Sequence, residues 1–176
     1  MKSSIQRVVA CVLLASALHP VSGLACAIVT KEEAARSQQA WIEQSKAEAI
    51  ALRDEADLVF IGKLSQLVPS RETIDQASGK NVVLHTYQAK FDFVDNIKGE
   101  YTKGQMLEFS VNKNLIYVGC GPRPFRSSLP KANGVDEVYL VYARAGTILR
   151  TNHIPEYVQA LSGYEEASHL RAVPRK

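Results

Sequence analysis

The stretch VLHTYQAKFDF, from Val83 to Phe93, alternates apolar with polar side chains along most of its length. A period of two residues is that of a β-strand with one face in a core and the other in solvent. The inward-facing set would be Val83, His85, Tyr87, Ala89, Phe91 and Phe93. The stretch therefore predicts a sheet with Phe91 and Phe93 among its core residues.

Strand patterns continue on both sides of this stretch. They cover residues 57–64, residues 107–112, and a pair of segments, 137–143 and 147–150, joined at Ala145-Gly146 like a hairpin. The polar residues from Pro69 to Asn81 are expected to form a loop. About five strands are too few for a sandwich, so a small closed barrel is favoured, since closure removes exposed edges.

The late hairpin is expected to complete the core of this barrel. Leu140 and Tyr142 belong to its first strand, in the run Tyr-Leu-Val-Tyr. We expect them to line or flank the same core as Phe91 and Phe93.

Helices are predicted at both ends of the strand region. Thr30 and Glu33 have the spacing of a capping box, and residues 31–53 are rich in Ala, Glu and Gln without Gly or Pro. In this predicted helix, Ile42, Ala49 and Ala56 form an apolar stripe. The stripe suits a helix packed on its own domain, with binding to a partner as the alternative. A short helix is expected after Pro155. The fold class is mainly β, with an N-terminal helix and a short C-terminal helix.

The first 25 residues have the three zones of a secretory signal. Lys2 and Arg7 precede an apolar run from Val8 to Leu18, and small residues follow up to Ala25. The run has about half the length that a membrane-spanning helix needs. Cleavage before Cys26 is favoured, with cleavage after Ala27 or before Leu24 as alternatives. A lipoprotein signal is disfavoured because Gly23 stands where a branched apolar residue is wanted.

Cleavage before Cys26 would leave a single domain, residues 26–176, in the periplasm or outside the cell. The net charge would fall from +3 to +1, because the signal contains Lys2 and Arg7 and no acidic residue. A nearly neutral chain argues against nucleic acid as a partner. No later stretch is long and apolar enough to span a membrane. Cys11 would be lost, and the remaining cysteines, Cys26 and Cys120, are expected to form a disulfide in an oxidising compartment.

No residue pattern points to an enzyme, a metal or a cofactor. Cys120 with His85 or His153 could form a thiolate pair, but exported thiols usually oxidise. The three histidines of the mature chain lack metal-ligand spacing, and no nucleophile elbow, phosphate loop or dinucleotide fingerprint occurs. A basic loop with one aromatic residue, which contains Arg123, Phe125 and Arg126, is a possible contact surface for a partner.

Four segments together resemble the tissue-inhibitor-of-metalloproteinases and netrin-module superfamily, especially its bacterial members. They are DLVFIGKL at 57–64, residues 91–99 with IKG at their end, GCG at 119–121 and YLVYA at 139–143. The resemblance spans Cys26 to about Asn152. It implies a five-stranded OB-fold-like barrel in which the first mature cysteine is bonded to the Gly-Cys-Gly cysteine, here Cys26 and Cys120.

In the animal inhibitors of this superfamily, the amine and carbonyl of the N-terminal cysteine chelate the zinc of the protease, and the next side chain enters its specificity pocket. By resemblance, these contacts would come from Cys26 and Ala27. The chain departs from the pattern at Ile28, where a second cysteine is expected, and near Asn152, where its partner is absent. The helix at 31–53 is an insertion before the first strand.

Two functions follow from this resemblance. The first is an exported, non-enzymatic protein-binding module that contacts an extracytoplasmic protease or another envelope protein. The second is an envelope OB-fold protein with a structural or ligand-binding role and no inhibitory activity. A free or blocked amine at Cys26 would distinguish them.

Overall fold

The computed structural model describes residues 30–75, 82–112, 129–130, 134–154 and 160–174. This part of the chain is mainly β and contains five strands and two helices. In chain order the elements are α1 (Lys31–Glu55), β1 (Leu58–Asp75), β2 (Val82–Lys98), β3 (Met106–Asn112), β4 (Val138–Arg144), β5 (Thr147–Ile154) and α2 (Gly163–Ala172).

Helix α1 begins with the predicted capping box. The backbone N–H of Glu33 donates to the Thr30 hydroxyl, and the Glu33 carboxylate accepts from the Thr30 N–H. Only the C-terminal half of the helix is buried, at Ser45, Ala49 and Arg53, where α1 contacts α2 and β4, whereas residues 31–40 are exposed on every side. Packing on the helix's own domain is thus confirmed for one half of α1.

The five strands form one sheet that closes on itself in the order β1-β2-β3-β5-β4, with β4 paired to β1. All neighbouring pairs are antiparallel except β3 and β5, which run parallel and meet at Glu108 and Thr147. Closure gives the sheet an inner and an outer face, so alternate residues of each strand pack against different neighbours.

Two apolar clusters occupy the two faces of the sheet. The inner cluster includes Phe60, Leu64, Phe91, Leu107, Phe109 and Val141. The outer cluster lies between the sheet and the helices and contains Ala49, Val59, Ile61, Ile97, Leu140, Tyr142, Ala167 and Leu170. The helices therefore cover one side of the closed sheet with small residues and Leu170.

The expectation that Phe91, Phe93, Leu140 and Tyr142 share one core is wrong. Phe91 is 1% exposed and lies inside, but Phe93 is 49% exposed, and Leu140 and Tyr142 belong to the outer cluster. Ile61 pairs with Asp95 and Gly62 with Phe93, so Val94 is an extra residue in β2. A β-bulge of this kind re-aims neighbouring side chains, and the space over Gly62 is already filled by the Phe60 ring.

The predicted loop from Pro69 to Asn81 is wrong over its first half. β1 continues through Pro69 to Asp75 and pairs with the start of β2, as far as Asp75 with Val82. Proline is tolerated at a register shift, and one lies between Pro69 and Arg71. Residues 76–81 lie outside the described part.

The late hairpin is confirmed. β4 and β5 are paired along their whole length, from Val138 opposite Ile154 to Arg144 opposite Thr147. Both turn residues, Ala145 and Gly146, have positive φ. Two successive positive φ values are those of a type I′ turn, which matches the twist of a β-hairpin. The C-terminal helix α2 begins at a second capping box, Ser162 with Glu165.

Candidate functional site

The residues that the sequence analysis predicts to be functional lie outside the described part of the chain. These are Cys26, Ala27, Cys120, Arg123, Phe125 and Arg126, together with the predicted signal segment 1–25. The nearest described residues are Thr30 at the start of α1, Asn112 at the end of β3, and Leu129. Residues 113–128, which include Cys120 and the basic loop, connect Asn112 at the end of β3 to Leu129, which packs against the inner cluster.

Asn112 lies at one end of the closed sheet, which we call the lower mouth. Its inner rim contains half-buried apolar residues of β1, β2 and β3 that pack against the inner cluster, namely Leu67, Tyr87 and Val111. Tyr87 stacks on Phe109 with ring centroids 5.5 Å apart. The lower mouth is thus an apolar rim next to the segment that contains the predicted contact loop.

Polar groups converge on the other side of the lower mouth, where β4 begins and β5 ends. The Tyr139 hydroxyl donates to Oε2 of Glu137 at 2.7 Å, and Nε2 of His153 lies 3.3 Å from the same oxygen. Thr151, two residue pairs further along the hairpin, is fully buried, and its hydroxyl has no hydrogen-bond partner in the described structure. A buried hydroxyl without a partner costs about 1–3 kcal/mol.

The far end of the β1–β2 hairpin extends past the lower mouth as a two-stranded ribbon. Next to this ribbon, the exposed side chains of Arg71 on β1 and Glu108 on β3 form an ion pair at 2.8 Å, and Nδ1 of the half-buried His85 lies 3.3 Å from Oε2 of Glu72. His85 is therefore paired with a carboxylate on the neighbouring strand rather than packed in the core. Exposed pairs of this type contribute little to stability.

Three residues of the segments that resemble the inhibitor family meet at the opposite end of the sheet. Lys98 Nζ donates to the carbonyl oxygens of Arg53, Asp54 and Ala56 at the end of α1. Gly99 has a φ of +69° and lies so close to the Asp57 carbonyl that any Cβ would collide with it. The Asp57 carboxylate accepts from the Ala145 N–H at 2.7 Å. These residues join α1, β1, β2 and the β4–β5 turn.

Gly62, in the first of these segments, lies below an aromatic ring. A Cβ at this position would be 2.7 Å from Cε2 of Phe60 and 3.0 Å from Cβ of Phe91. Phe60 also stacks on Tyr101, with ring centroids 4.4 Å apart, and the Tyr101 hydroxyl accepts from the Phe91 N–H. Burial raises the pKa of Tyr101. The glycine thus allows three aromatic side chains to fill the inner face.

A buried polar network between α2 and the outer face of β4–β5 was not predicted from the sequence. Glu166 of α2 forms an ion pair with Arg150 and accepts hydrogen bonds from the Tyr142 hydroxyl and, at 2.8 Å, from Asn152 Nδ2. Burial raises the pKa of Tyr142 well above that of a free phenol, and the negative charge of Glu166 raises it further. In the sequence, only the two-residue alternation of the strands could have indicated this network, because it places Tyr142, Arg150 and Asn152 on one face of the sheet.

The described residues contain no group of three or more metal-ligating side chains. Neither helix of the described part combines the length and apolarity that crossing a membrane requires. Comparison of the chain with family models, with curated proteins and with solved structures gave no match.

Proposed function

We propose that this protein is an exported, non-enzymatic protein-binding module built on an OB-fold, of the type found in tissue inhibitors of metalloproteinases. The observation that supports it best is the strand order β1-β2-β3-β5-β4 with its single parallel contact between β3 and β5. Three consecutive antiparallel strands followed by a hairpin inserted between the third and the first form a five-stranded Greek-key closure, as in an OB-fold.

The positions of the shared residues also support the family resemblance. Gly62, Lys98 and Gly99 each have a physical task that another residue type would perform poorly: a close ring approach, a cap on three carbonyls, and a positive φ. These tasks concern the fold rather than chemistry on a substrate. The resemblance therefore supports the architecture more strongly than any inhibitory mechanism.

We place the partner-binding surface at the lower mouth. The predicted contact loop with Arg123, Phe125 and Arg126 belongs to residues 113–128, which follow Asn112 in the chain. Loops at the rim of a rigid sheet are common binding elements, because the scaffold holds their ends in place. The half-buried apolar rim and the polar group of Glu137, Tyr139 and His153 would support that loop or contact the partner directly.

The second candidate function, an envelope OB-fold protein without inhibitory activity, is favoured by the position of α1. Thr30 lies about 22 Å along the helix axis from Ser45, the first fully buried residue of α1. Cys26 can be at most about 14 Å of extended chain from Thr30. The bridge to Cys120 would therefore have to reach the exposed N-terminal half of α1. An N-terminal arm tied to that half of the helix is harder to insert into the active site of a protease.

The proteolytic test separates the two candidates. The secreted protein is purified, its N-terminus is identified by mass spectrometry, and it is titrated against a panel of zinc endoproteases. A second version with one alanine before Cys26 is the matched control, because the extra residue removes the amine from the chelating position. Inhibition that the added alanine abolishes supports the inhibitor-like function. If the two versions inhibit the proteases equally or not at all, the inhibitor-like function is excluded and the second candidate is favoured. Finding an acylated N-terminal amine would lead to the same conclusion.

A further inference from the structure

The outer face of the β4–β5 hairpin directs three hydrogen-bond donors to one point. Tyr142 lies opposite Arg150 in the ladder, and Asn152 follows two residues later on β5, so strand geometry places the three side chains on the same face. All three residues are at most 2% exposed. The donor set therefore belongs to the hairpin and not to the helix that covers it.

The group that fills the donor set is the carboxylate of Glu166 on α2. Its Oε1 accepts from Arg150 Nη1 at 2.6 Å and from the Tyr142 hydroxyl. Its Oε2 accepts from Arg150 Nη2 at 3.0 Å and from Asn152 Nδ2 at 2.8 Å. Two bonds on each oxygen use the acceptor positions of a carboxylate. An amide or a hydroxyl group in the same place would leave some of these buried donors without an acceptor, so the set is selective for a carboxylate.

The donors are also oriented by contacts that do not involve Glu166. The Arg150 guanidinium lies 5.6 Å from the centroid of the Tyr142 ring, and Asn152 Nδ2 donates to the Leu161 carbonyl at 3.2 Å. Burial is the main cause that raises the pKa of Tyr142, so its hydroxyl keeps the proton that it donates. The donor set should therefore keep its arrangement when the Glu166 side chain is removed.

We propose that Tyr142, Arg150 and Asn152 form a carboxylate-binding site, and that Glu166 is its intrachain ligand. Beyond Cβ, the Glu166 side chain consists of one carbon and a carboxylate, which are the heavy atoms of an acetate ion. Because Glu166 is only 1% exposed, the space that Glu166→Ala opens should accept acetate and exclude larger carboxylates. The unaltered chain should bind no external carboxylate at this site, since Glu166 already saturates the donors. The site does not rest on the proposed function.

Thermal unfolding of Glu166→Ala in the presence of sodium acetate tests the site. Acetate that binds only the folded chain should raise the melting temperature by roughly 3 °C or more at about 0.1 M, relative to sodium chloride at the same ionic strength. Acetamide, which has the shape of acetate without its charge, and trimethylacetate, which has the charge but is too large, should have no such effect. If the variant is unfolded without ligand, acetate should restore the far-ultraviolet circular dichroism of the folded chain, and chloride should not.

The matched control is the double variant that combines Glu166→Ala with Arg150→Met, because it opens the same space and removes the guanidinium. The double variant and the unaltered chain should each respond to acetate as they respond to chloride. The site is overturned if acetate neither stabilises nor refolds Glu166→Ala more than it does the double variant. It is also overturned if acetamide and trimethylacetate act as acetate does. No protease enters these measurements, so failure of the site is distinguishable from failure of the proposed function.

Discussion

The carboxylate of Glu166 on α2 faces the guanidinium of Arg150 on β5 as a bidentate ion pair, with N–O distances of 2.6 and 3.0 Å. Both side chains are almost completely buried, at 1% and 3% exposure. The pair therefore holds α2 in one orientation on the sheet, since each charge would be left without water if the other moved away.

Replacing Glu166 by Ala should destabilise the protein by about 3–5 kcal/mol, because Arg150 would remain buried without its partner. The measurement is the free energy of unfolding in urea. Arg71→Ala is the control, since it breaks the exposed pair with Glu108 and should cost less than about 1 kcal/mol. Similar small losses for both variants would contradict a structural role for the buried pair.

Stability should fall at alkaline pH through Tyr142. Its pKa in the folded protein is raised well above that of a free phenol, chiefly by burial and then by the Glu166 charge. The folded state thus keeps a proton that the unfolded chain loses above about pH 10, and stability declines from there by up to about 1.4 kcal/mol per pH unit. Unfolding by urea between pH 8 and about 11 measures the slope. Tyr142→Phe should flatten it, and an unchanged slope would exclude Tyr142 as its source.

Gly99→Ala should destabilise the protein more than Gly104→Ala. Both glycines have positive φ, at +69° and +87°, so alanine is strained at each by about 1–2 kcal/mol. At Gly99 the new methyl group also collides with the Asp57 carbonyl, whereas nothing lies within 4 Å at Gly104. Overpacking adds about 1–3 kcal/mol at the first site alone. Equal midpoints of thermal unfolding for the two variants would contradict the close contact.

The two phenylalanines of β2 should differ in their contribution to the core. Phe91→Ala is expected to cost about 3–5 kcal/mol, because Phe91 is enclosed by Phe60 and Tyr139. Phe93→Ala should cost less than half of that, since half of its surface is already in water. Chemical denaturation of both variants gives the comparison, and equal losses would show that Phe93 is covered in solution.

The predicted bridge between Cys26 and Cys120 has a direct chemical test. A tryptic digest without reductant should yield one linked pair of peptides containing these residues. Closing a loop of 95 residues stabilises the folded chain by roughly 4–5 kcal/mol in the chain-entropy treatment. Cys120→Ser should lower the melting temperature and leave Cys26 reactive towards thiol reagents. Identical melting with and without reductant would exclude the bridge.

Local patterns predicted the elements whose signals lie within a few residues. Thr30 and Glu33 identify the start of α1, and Ala145-Gly146 identifies the hairpin turn, because both depend on contacts between neighbours in the chain. The alternation from Tyr87 to Phe91 also marks the inner face of β2 correctly, whereas Val83 and His85, earlier in the same alternation, do not belong to the inner cluster. The contact residues Cys26, Ala27, Cys120, Arg123, Phe125 and Arg126 remain predictions.

The positions at which expectation failed depend on distant partners. Phe93 continues the alternation of β2, but the extra residue at Val94 arises from pairing with Ile61 and Gly62 on another strand. Pro69 looks like a loop residue, yet it lies within β1 because the first residues of β2 extend the ladder beyond it. Neither partner can be identified from the residues on either side.

The sequence by itself determined the mainly β character, the two helices and the hairpin, since period, capping and turn chemistry are local properties. Tertiary structure decided which apolar residues lie inside the closed sheet and which lie under the helices. It also brought Arg150 together with Glu166, across 16 residues of chain, and Arg53 together with the carbonyls of Val173 and Pro174, across up to 121 residues. Burial of these charges is possible only once sheet and helices have met, because isolated segments leave them in water.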